Sequence, residues 1–472
     1  MAELSRRGLL AAGASAIISF PLLPVKTNKA MAFEYLLPAD VPFSKEREEL
    51  NHVLAQSGKP RVIKVHDHVY VAVGYTLANT VLVETPEGSI IIDTTESLTH
   101  ARVIMGEFKQ VSDKPIKYIL YTHYHGDHVR GTKAFYHPDV KVIAHQDFMA
   151  ETKLQDSRGQ SGAMRSIAMY ALPLPPEQRY SMVFTFPAPL VLPLVWEVLR
   201  PEDLIWPNVS FKERHTFKLG GVTFNLIHAP GETPDQFIVQ VPQYKMVCCA
   251  DNFYPSFPNL YTIRGSSSRP VLGWAKAQDT VINLGPEILI PLHGLPFDGR
   301  DRIKEVLGNY RDAILHIWNL VMEGIVANKS VHELVAHVTL PPGLASQPYL
   351  QPYYGNIPYC VRAIYDNVMG WFDGDPVNLS PLSRKELGKE VLSLAGSVDT
   401  VLAQAEKAQK AGRHQSTLEL SEMVLANDPG NKAAREMKIN SLLALSRAAI
   451  NMPTFNYYRM HAAYEKGKLG KS

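Results

Sequence analysis

The stretch that decides the fold is Thr122-His123-Tyr124-His125-Gly126-Asp127-His128, which places four potential metal ligands within six positions. It directly follows residues 116–121, a short apolar run that predicts a buried strand. On a loop leaving a strand, the first two histidines can converge on one point, and Asp127 and His128 can reach a second point beside it. Imidazole nitrogen combined with carboxylate oxygen is typical of zinc sites. The stretch therefore predicts a metal centre at the end of a strand.

Strands and helices alternate on both sides of this loop. Apolar residues that recur with a period of two, or in short runs, predict strands at 61–95, 141–144, 215–228 and 236–249. Helical patterns occupy residues 97–110 and 146–172. This alternation predicts an α/β core.

The His-x-His-x-Asp-His pattern resembles the signature of the metallo-β-lactamase superfamily. The resemblance implies an αββα sandwich with further ligands at the ends of later strands. The superfamily usually places a histidine in Pro-Gly-His-Thr, but here the matching stretch is Pro230-Gly231-Glu232-Thr233. Asp251 follows the predicted strand 244–249, and His293 ends the predicted strand 287–292. Glu232, Asp251 and His293 are therefore the expected downstream ligands.

Within that superfamily, the chain resembles the alkylsulfatases, which hydrolyse detergent sulfate esters. In that family two acidic residues 19 positions apart complete the zinc site, and Glu232 and Asp251 have this spacing. The family more often has glutamate at the position of Asp251, a departure that leaves the fold expectation intact and the substrate open. The matching stretches are Gly74–Asn79, Ala168–Tyr170, Ala229–Glu232, Asn259–Gly265, Pro352–Gly355 and Gly370–Gly374.

The resemblance implies two zinc ions per chain. The first is assigned to His123, His125 and Glu232, the second to Asp127, His128 and His293, with Asp251 bridging them. Because zinc lowers the pKa of bound water from 15.7 towards about 7, a hydroxide between the two ions is the expected nucleophile. Asp127 is expected to act in catalysis as well as in metal binding.

Three residues are candidates for roles around the metal ions. Arg264 is expected to bind the sulfate, because a guanidinium fork matches a tetrahedral oxyanion; a surface salt bridge is the alternative. Tyr170 is a second catalytic candidate through its hydroxyl, or else a core aromatic residue. Asp93 ends the run Ile90–Ile92 and either orients the ligand loop or caps the strand. His228 is the alternative ligand near Glu232.

Residues 173–193 are dense in proline, which excludes helix and central strand. This segment could line a groove for an alkyl chain, or form a buried loop or a subunit contact. From residue 301 the pattern becomes helical, with helices predicted at 397–411, 416–427 and 431–449.

These patterns divide the chain into four parts. Residues 33–300 are expected to form the catalytic domain. Residues 301–395 are expected to form a helical region that resembles the family's dimerisation segment, which implies a homodimer. Tetratricopeptide-like helices are expected over 396–472.

Residues 1–32 read as a twin-arginine export signal. Arg6 and Arg7 precede a mildly apolar run, 8–23, and Ala30-Met31-Ala32 supplies a small-x-small cleavage site. The run is shorter than the ~20 residues of a membrane span, so a periplasmic or secreted protein with no integral membrane segment is expected. A cytoplasmic amphipathic start or a retained anchor is the alternative.

Net charge and cysteine content argue against two classes of protein, the nucleic-acid binders and the disulfide-stabilised proteins. The net charge of the 472 residues is +2, so no strong positive field attracts nucleic acid, and three cysteines are too few for a disulfide framework. The expected function is zinc-dependent hydrolysis of small amphiphilic alkyl sulfate esters to alcohol and inorganic sulfate. A dizinc hydrolase of another ester, lactone or β-lactam is the alternative, and a non-catalytic binding protein of the same fold is the third.

Overall fold

The structure is a computed structural model that describes residues 60–175, 178–180 and 204–469. The predicted export signal and most of the proline-dense segment lie outside these residues, and their predictions remain expectations. Within the described residues the chain forms two β-sheets, of seven and six strands, and a helical carboxyl-terminal part.

The first sheet has its strands in chain order. Its members are β1 (Arg61–His66), β2 (Val69–Val73), β3 (Thr80–Thr85), β4 (Gly88–Ile92), β5 (Ile116–Leu120), β6 (Lys141–His145) and β7 (Val209–Phe211). The strands β1 to β4 pair antiparallel, as hairpins do, whereas β4 to β7 pair parallel. The buried apolar character of β4 fits its place inside this mixed sheet, because strands covered on both faces read as continuous apolar runs.

The second sheet has the order β13-β12-β11-β10-β9-β8. Its members are β8 (Arg214–Leu219), β9 (Val222–His228), β10 (Phe237–Val241), β11 (Met246–Ala250), β12 (Ile288–Pro291) and β13 (Phe297–Asp298). Only β11 and β12 pair in parallel among these neighbours. Strands β9, β11 and β12 therefore run in the same direction, and their carboxyl ends share one edge of the sheet.

The two sheets pack face to face and each carries helices on its outer side. Val71 and Ile90 of the first sheet meet Phe224 and Val239 of the second in one buried cluster. Helix α1 (Leu98–Val111) packs on the outer face of the first sheet, and later helices cover the second. This four-layer arrangement confirms the αββα sandwich.

The helices fall into two groups. Those within the sandwich region are α1, α2 (Gly126–Val129), α3 (Phe148–Asp156), α4 (Gly159–Tyr170) and α5 (Val271–Leu284). Those that follow are α6 (Arg300–Val326), α7 (Val331–His337), α8 (Pro342–Ala345), α9 (Ile357–Met369), α10 (Arg384–Ala395), α11 (Val398–Lys410), α12 (His414–Asn427), α13 (Lys432–Ala448) and α14 (Met452–Leu469). The three helices expected between 397 and 449 are confirmed as α11 to α13. None of the helices in the described ranges has both the length and the apolar character needed to cross a membrane.

The carboxyl-terminal helices pack back onto the sandwich region. Ala168 and Leu174 form a buried cluster with Leu442 of α13 and Met460 of α14.

The single helical stretch expected at 146–172 is instead two helices, α3 and α4, separated at Ser157–Arg158. The break precedes Gly159, which adopts a left-handed φ of +50° that interrupts regular helix.

Candidate metal centre

Four segments, each of which follows a strand, bring the predicted ligands to one edge of the sandwich. The loop after β5 carries His123 and His125, and the short helix α2 that follows carries Asp127 and His128. The remaining ligands follow the three strands of the second sheet that point the same way: Glu232 after β9, Asp251 after β11 and His293 after β12. Strand direction, rather than sequence proximity, therefore assembles the set.

The first group of side chains is almost completely buried. The Nε2 atom of His123 lies 3.0 Å from Nδ1 of His125 and 3.6 Å from Oδ2 of Asp251. The same Nδ1 of His125 lies 3.7 Å from Oε1 of Glu232. These four residues are at most 4% exposed. His123, His125 and Asp251 have potential ligand atoms within 4.8 Å of one another, and Glu232 approaches this group through His125. The assignment of Glu232 to the first metal stays a prediction.

The second group shares Asp251 with the first. The Oδ2 atom of Asp251 lies 3.3 Å from Nε2 of His128 and 3.1 Å from Nε2 of His293. Oδ2 of Asp127 lies 3.6 Å and 3.5 Å from the same two nitrogen atoms. Because one oxygen of Asp251 faces both groups, this residue lies where a bridging ligand would.

The donor atoms fit a metal ion by distance and by chemistry. Ligand bonds of about 2.0–2.2 Å at tetrahedral angles put neighbouring donor atoms about 3.3–3.6 Å apart, close to the separations in both groups. Nε2 of His128, Oε2 of Glu232 and Oδ1 of Asp251 are buried without any hydrogen-bond partner. A buried polar atom without a partner is costly, and a cation in each group would provide partners for these atoms. Histidine and carboxylate without thiolate suits zinc.

Burial alone would raise the pKa of the Asp251 carboxyl. The imidazoles of His128, His293 and His123 outweigh that effect and hold its pKa well below the usual range. The residue is therefore an anion at neutral pH, which is the form that binds a metal ion.

Asp93 orients two of the histidines. Its Oδ2 atom lies 2.6 Å from Nδ1 of His128 and accepts a 2.6 Å hydrogen bond from the hydroxyl of Thr122. The hydroxyl oxygen of Thr122 lies 3.1 Å from Nδ1 of His123. With Nδ1 of each ring held in this way, Nε2 of each is left available to bind a metal ion. Asp93 thus lies where the ligand-orienting prediction placed it.

The loop between β2 and β3 supports the last histidine. Nδ1 of His293 donates a 2.7 Å hydrogen bond to the carbonyl of Leu77, which leaves Nε2 facing the carboxylates. The side-chain amide of Asn79 donates to the carbonyls of Pro291 and Gly294, on either side of this histidine. Sequence reasoning quoted Gly74–Asn79 as a matching stretch but gave these residues no role.

A cleft that is partly open to solvent lies over the metal-binding groups. The residues that line it are Leu77, His125, Asp127, Tyr170, Glu232, Tyr254, Arg264, His293 and Tyr354. Both substrate-binding candidates from the sequence, Arg264 and Tyr170, are therefore brought to the ligands. The hydroxyl of Tyr170 lies 3.1 Å from that of Tyr354, a residue that sequence reasoning had quoted only within Pro352–Gly355.

Among the residues that the structure describes, no carboxylate forms an ion pair with Arg264. Its Nη2 atom lies 3.3 Å from Nε2 of His125, and its Nε is buried with no hydrogen-bond partner. When Nδ1 of His125 binds a metal, Nε2 carries the proton and offers no acceptor to the guanidinium.

By contrast, Arg269 pairs with Oε1 of Glu232 at 3.0 Å. Burial raises the pKa of the Glu232 carboxyl, and Arg269 opposes this; no sequence pattern had marked Arg269.

His228 does not join the ligand groups. Its ring stacks on His145 at a centroid distance of 4.1 Å, and its Nε2 lies 2.8 Å from the carbonyl oxygen of Pro234. The structure thus places Glu232, rather than this alternative, beside His125.

Cys248 and Cys249 point to opposite faces of β11, as alternation along a strand requires, and both are buried free thiols.

Comparison with known proteins gives the chain its family. Residues 73–293 match the metallo-beta-lactamase superfamily, and residues 330–467 match the alkyl sulfatase dimerisation family. A linear primary-alkylsulfatase of Pseudomonas sp. is 34% identical over 397 residues, which cover 82% of this chain and 74% of that protein. The chain belongs to the alkylsulfatase family. As a member of it, the protein is a hydrolase of the metallo-β-lactamase superfamily.

Other alkylsulfatases agree in sequence and in structure. An (R)-specific secondary-alkylsulfatase of Pseudomonas sp. is 28% identical over 415 residues, which cover 84% of this chain and 61% of that protein. The solved structure of a stereoselective inverting secondary alkylsulfatase from Pseudomonas sp. superposes with a TM-score of 0.82 at 26% identity, covering 91% of this chain and 69% of that one. The likeness therefore extends over the sandwich and the helical part together.

Proposed function

We propose that this alkylsulfatase-family protein hydrolyses alkyl sulfate esters to an alcohol and inorganic sulfate. The names of its relatives support the substrate class, since they include a linear primary-alkylsulfatase and a secondary-alkylsulfatase. The organic part of the substrate would be an amphiphilic alkyl chain. One water molecule is consumed: its oxygen atom enters one of the two products, and its two hydrogen atoms are divided between the alcohol and the sulfate.

Two zinc ions are the proposed cofactors. His123, His125 and Glu232 would hold one, Asp127, His128 and His293 would hold the other, and Asp251 would serve both. Bound zinc would supply a Lewis acid and lower the pKa of a water molecule towards about 7. Three carboxylates against two divalent ions leave a net charge of about +1, which favours an anionic substrate.

The observation that carries the proposed substrate is the unpaired guanidinium of Arg264. Arg264 is half-buried, and among the described residues no carboxylate forms an ion pair with it, so a sulfate group entering the cleft would provide an anionic partner. Arginine binds a tetrahedral oxyanion with two parallel hydrogen bonds, which fixes the orientation of the ester as well as its position.

Two tyrosines complete the polar surface of the cleft. The hydroxyls of Tyr170 and Tyr354 lie 3.1 Å apart beside Arg264. Only one of the two can donate to the other at a time, so one hydroxyl hydrogen remains for a sulfate oxygen or for the ester oxygen that leaves. Tyr170 is thus proposed to stabilise the charge that develops on the ester.

A panel of four substrates tests the proposal. The zinc-loaded protein is incubated with dodecyl sulfate, an aryl sulfate, a phosphate monoester and a cephalosporin, and product release is measured. Turnover of dodecyl sulfate well above the other three supports an alkylsulfatase. Preferred turnover of the phosphate ester or the cephalosporin contradicts it and favours a hydrolase of another ester, lactone or β-lactam.

We also propose that the protein works as a homodimer. The match of residues 330–467 to a dimerisation family supports this state. Light scattering across the micromolar range should give a mass near twice the 52.6 kDa of the chain, reduced by any export signal that has been removed. A monomeric mass over the whole range would contradict the proposal.

A further inference from the structure

The Pro352–Gly355 loop forms one wall of the cleft yet belongs to neither sheet. Its residue Tyr354 reaches the site and meets the hydroxyl of Tyr170. On one side this loop is bound to the segment that follows Asp251: the amide of Tyr354 donates to Oγ of Ser256 at 2.8 Å, and the amide of Gly355 donates to the carbonyl of Phe257 at 3.1 Å.

On the other side the loop is held by Asn451, which directly precedes helix α14. The side-chain amide of Asn451 lies within hydrogen-bond distance of three carbonyls of the loop, those of Pro352, Tyr354 and Gly355, at 3.2, 2.9 and 3.3 Å. The next amide along the chain, that of Met452, donates to the carbonyl of Tyr353 at 2.7 Å. Asn451 is 4% exposed, so water does not compete for these bonds.

The other end of the same side chain is used in the helix. Oδ1 of Asn451 accepts hydrogen bonds from the backbone amide and the hydroxyl of Thr454, at 3.1 and 2.7 Å. This is the arrangement of a helix N-cap, which satisfies an amide that has no partner within the helix. One residue therefore joins the first turn of α14 to the wall of the cleft.

We infer that Asn451 is a positioning residue that holds Tyr354 in the cleft, so that the last helix takes part in substrate binding. The inference rests on the proposed function for its kinetic test, and its structural test is independent of activity. Freed from the amide of Asn451, the loop keeps its backbone bonds to Phe257 and Met452 and its bond to Ser256, but it loses the side-chain bonds to the carbonyls of Pro352, Tyr354 and Gly355. The hydroxyl of Tyr354 is then no longer fixed relative to Tyr170.

The test separates the two ends of the side chain. Asn451→Ser keeps an oxygen that can cap α14 and removes the amide that binds the loop. The matched control is Asn456→Ala, because Asn456 is also buried in α14 and also joins it to a distant segment. Its amide donates to the carbonyl of Tyr180 at 2.8 Å and its Oδ1 accepts from the amide of the same residue, with no bond to the 352–355 loop.

The first readout is hydrogen exchange, followed by mass spectrometry, in the peptide that contains residues 352–355. We expect Asn451→Ser to accelerate exchange there by about tenfold, the factor that corresponds to one lost hydrogen bond, with the Asn456→Ala control unchanged. Equal protection of the loop in wild type and Asn451→Ser overturns the inference. This result does not depend on which ester the enzyme hydrolyses.

The second readout is steady-state kinetics with dodecyl sulfate, with zinc content measured in the same samples. Asn451→Ser should raise KM by about tenfold while kcat and zinc content stay near wild type, since the loop carries no proposed ligand. In a Tyr354→Phe background the same substitution should have little further effect, because the group that it positions is gone. An equal loss in both backgrounds shows a merely structural role and contradicts the inference. If wild type does not turn over alkyl sulfates, the proposed function fails, and the exchange result alone decides the role of Asn451.

Discussion

Replacement of Arg264 tests the link between the unpaired cation and the anionic substrate. The guanidinium lines the cleft with Nε buried and unpartnered and Nη2 3.3 Å from the ring of His125. Two of its N–H groups can therefore turn to a sulfate without breaking an ion pair. In Arg264→Ala both contacts are lost, whereas Arg264→Lys retains the charge but not the planar fork.

The size of the effect follows from these contacts. Hydrogen bonds to charged groups contribute about 1.5–3 kcal/mol each, and removal of one preorganised donor costs about 2.7–4 kcal/mol of transition-state stabilisation. We therefore expect Arg264→Ala to lose about 2–4 kcal/mol, or about 30- to 1,000-fold in kcat/KM. Arg264→Lys should be nearly as impaired, because a single ammonium cannot replace two parallel donors.

The assay is release of inorganic sulfate from dodecyl sulfate, with zinc content measured for each variant. Arg300→Ala is the control, since Arg300 is exposed and its ion pair with Glu287 lies away from the cleft. Zinc content should be unchanged throughout, and hydrolysis of a neutral ester or lactone should be far less affected. Near wild-type kcat/KM for dodecyl sulfate in both Arg264 variants would refute the proposed role of this residue.

Three further predictions concern the metal ions and export. Elemental analysis should find two zinc ions per chain, and Asp127→Ala should lower this to one with the circular dichroism spectrum unchanged, because the core of the sandwich does not include this residue; a value of one in wild type would exclude a dinuclear centre. Asp93→Ala frees Nδ1 of His128 and should weaken zinc binding by about 10- to 100-fold in a chelator competition, whereas affinity equal to wild type would show that Asp93 only caps its strand. Lysine at both Arg6 and Arg7 should leave the protein in the cytoplasm, and recovery of this variant from the periplasm would reject the twin-arginine assignment.

Much of the site could be predicted from local sequence. Five residues of the site follow closely on the ends of apolar strands: Asp93 after β4, and His123, His125, Asp127 and His128 after β5. A strand end puts the next side chains at a sheet edge whatever the rest of the chain does, so a pattern within a few residues is sufficient. Glu232, Asp251 and His293 also follow strands, but their assignment needed the resemblance to a family, because one sequence does not show that three distant strands run in the same direction.

Other features depend on contacts between residues far apart in the chain. The bond from His293 to Leu77 spans 216 positions, and those from Asn451 to the Pro352–Gly355 loop span up to 99. Neither partner carries a local pattern that indicates the other, since backbone carbonyls accept from any donor.

Which arginine of the cleft region is paired with a carboxylate also depends on contacts between residues far apart in the chain. Arg264 and Arg269 stand five positions apart in similar surroundings of sequence, yet Arg269 is paired with Glu232 and Arg264 has no anion among the described residues. The sequence by itself determined the ligand types, the strand that precedes the ligand loop and the three helices between 397 and 449. Only the tertiary structure decided which cation remained available for a substrate, because ion pairing depends on distances of a few ångströms that folding sets between separate loops.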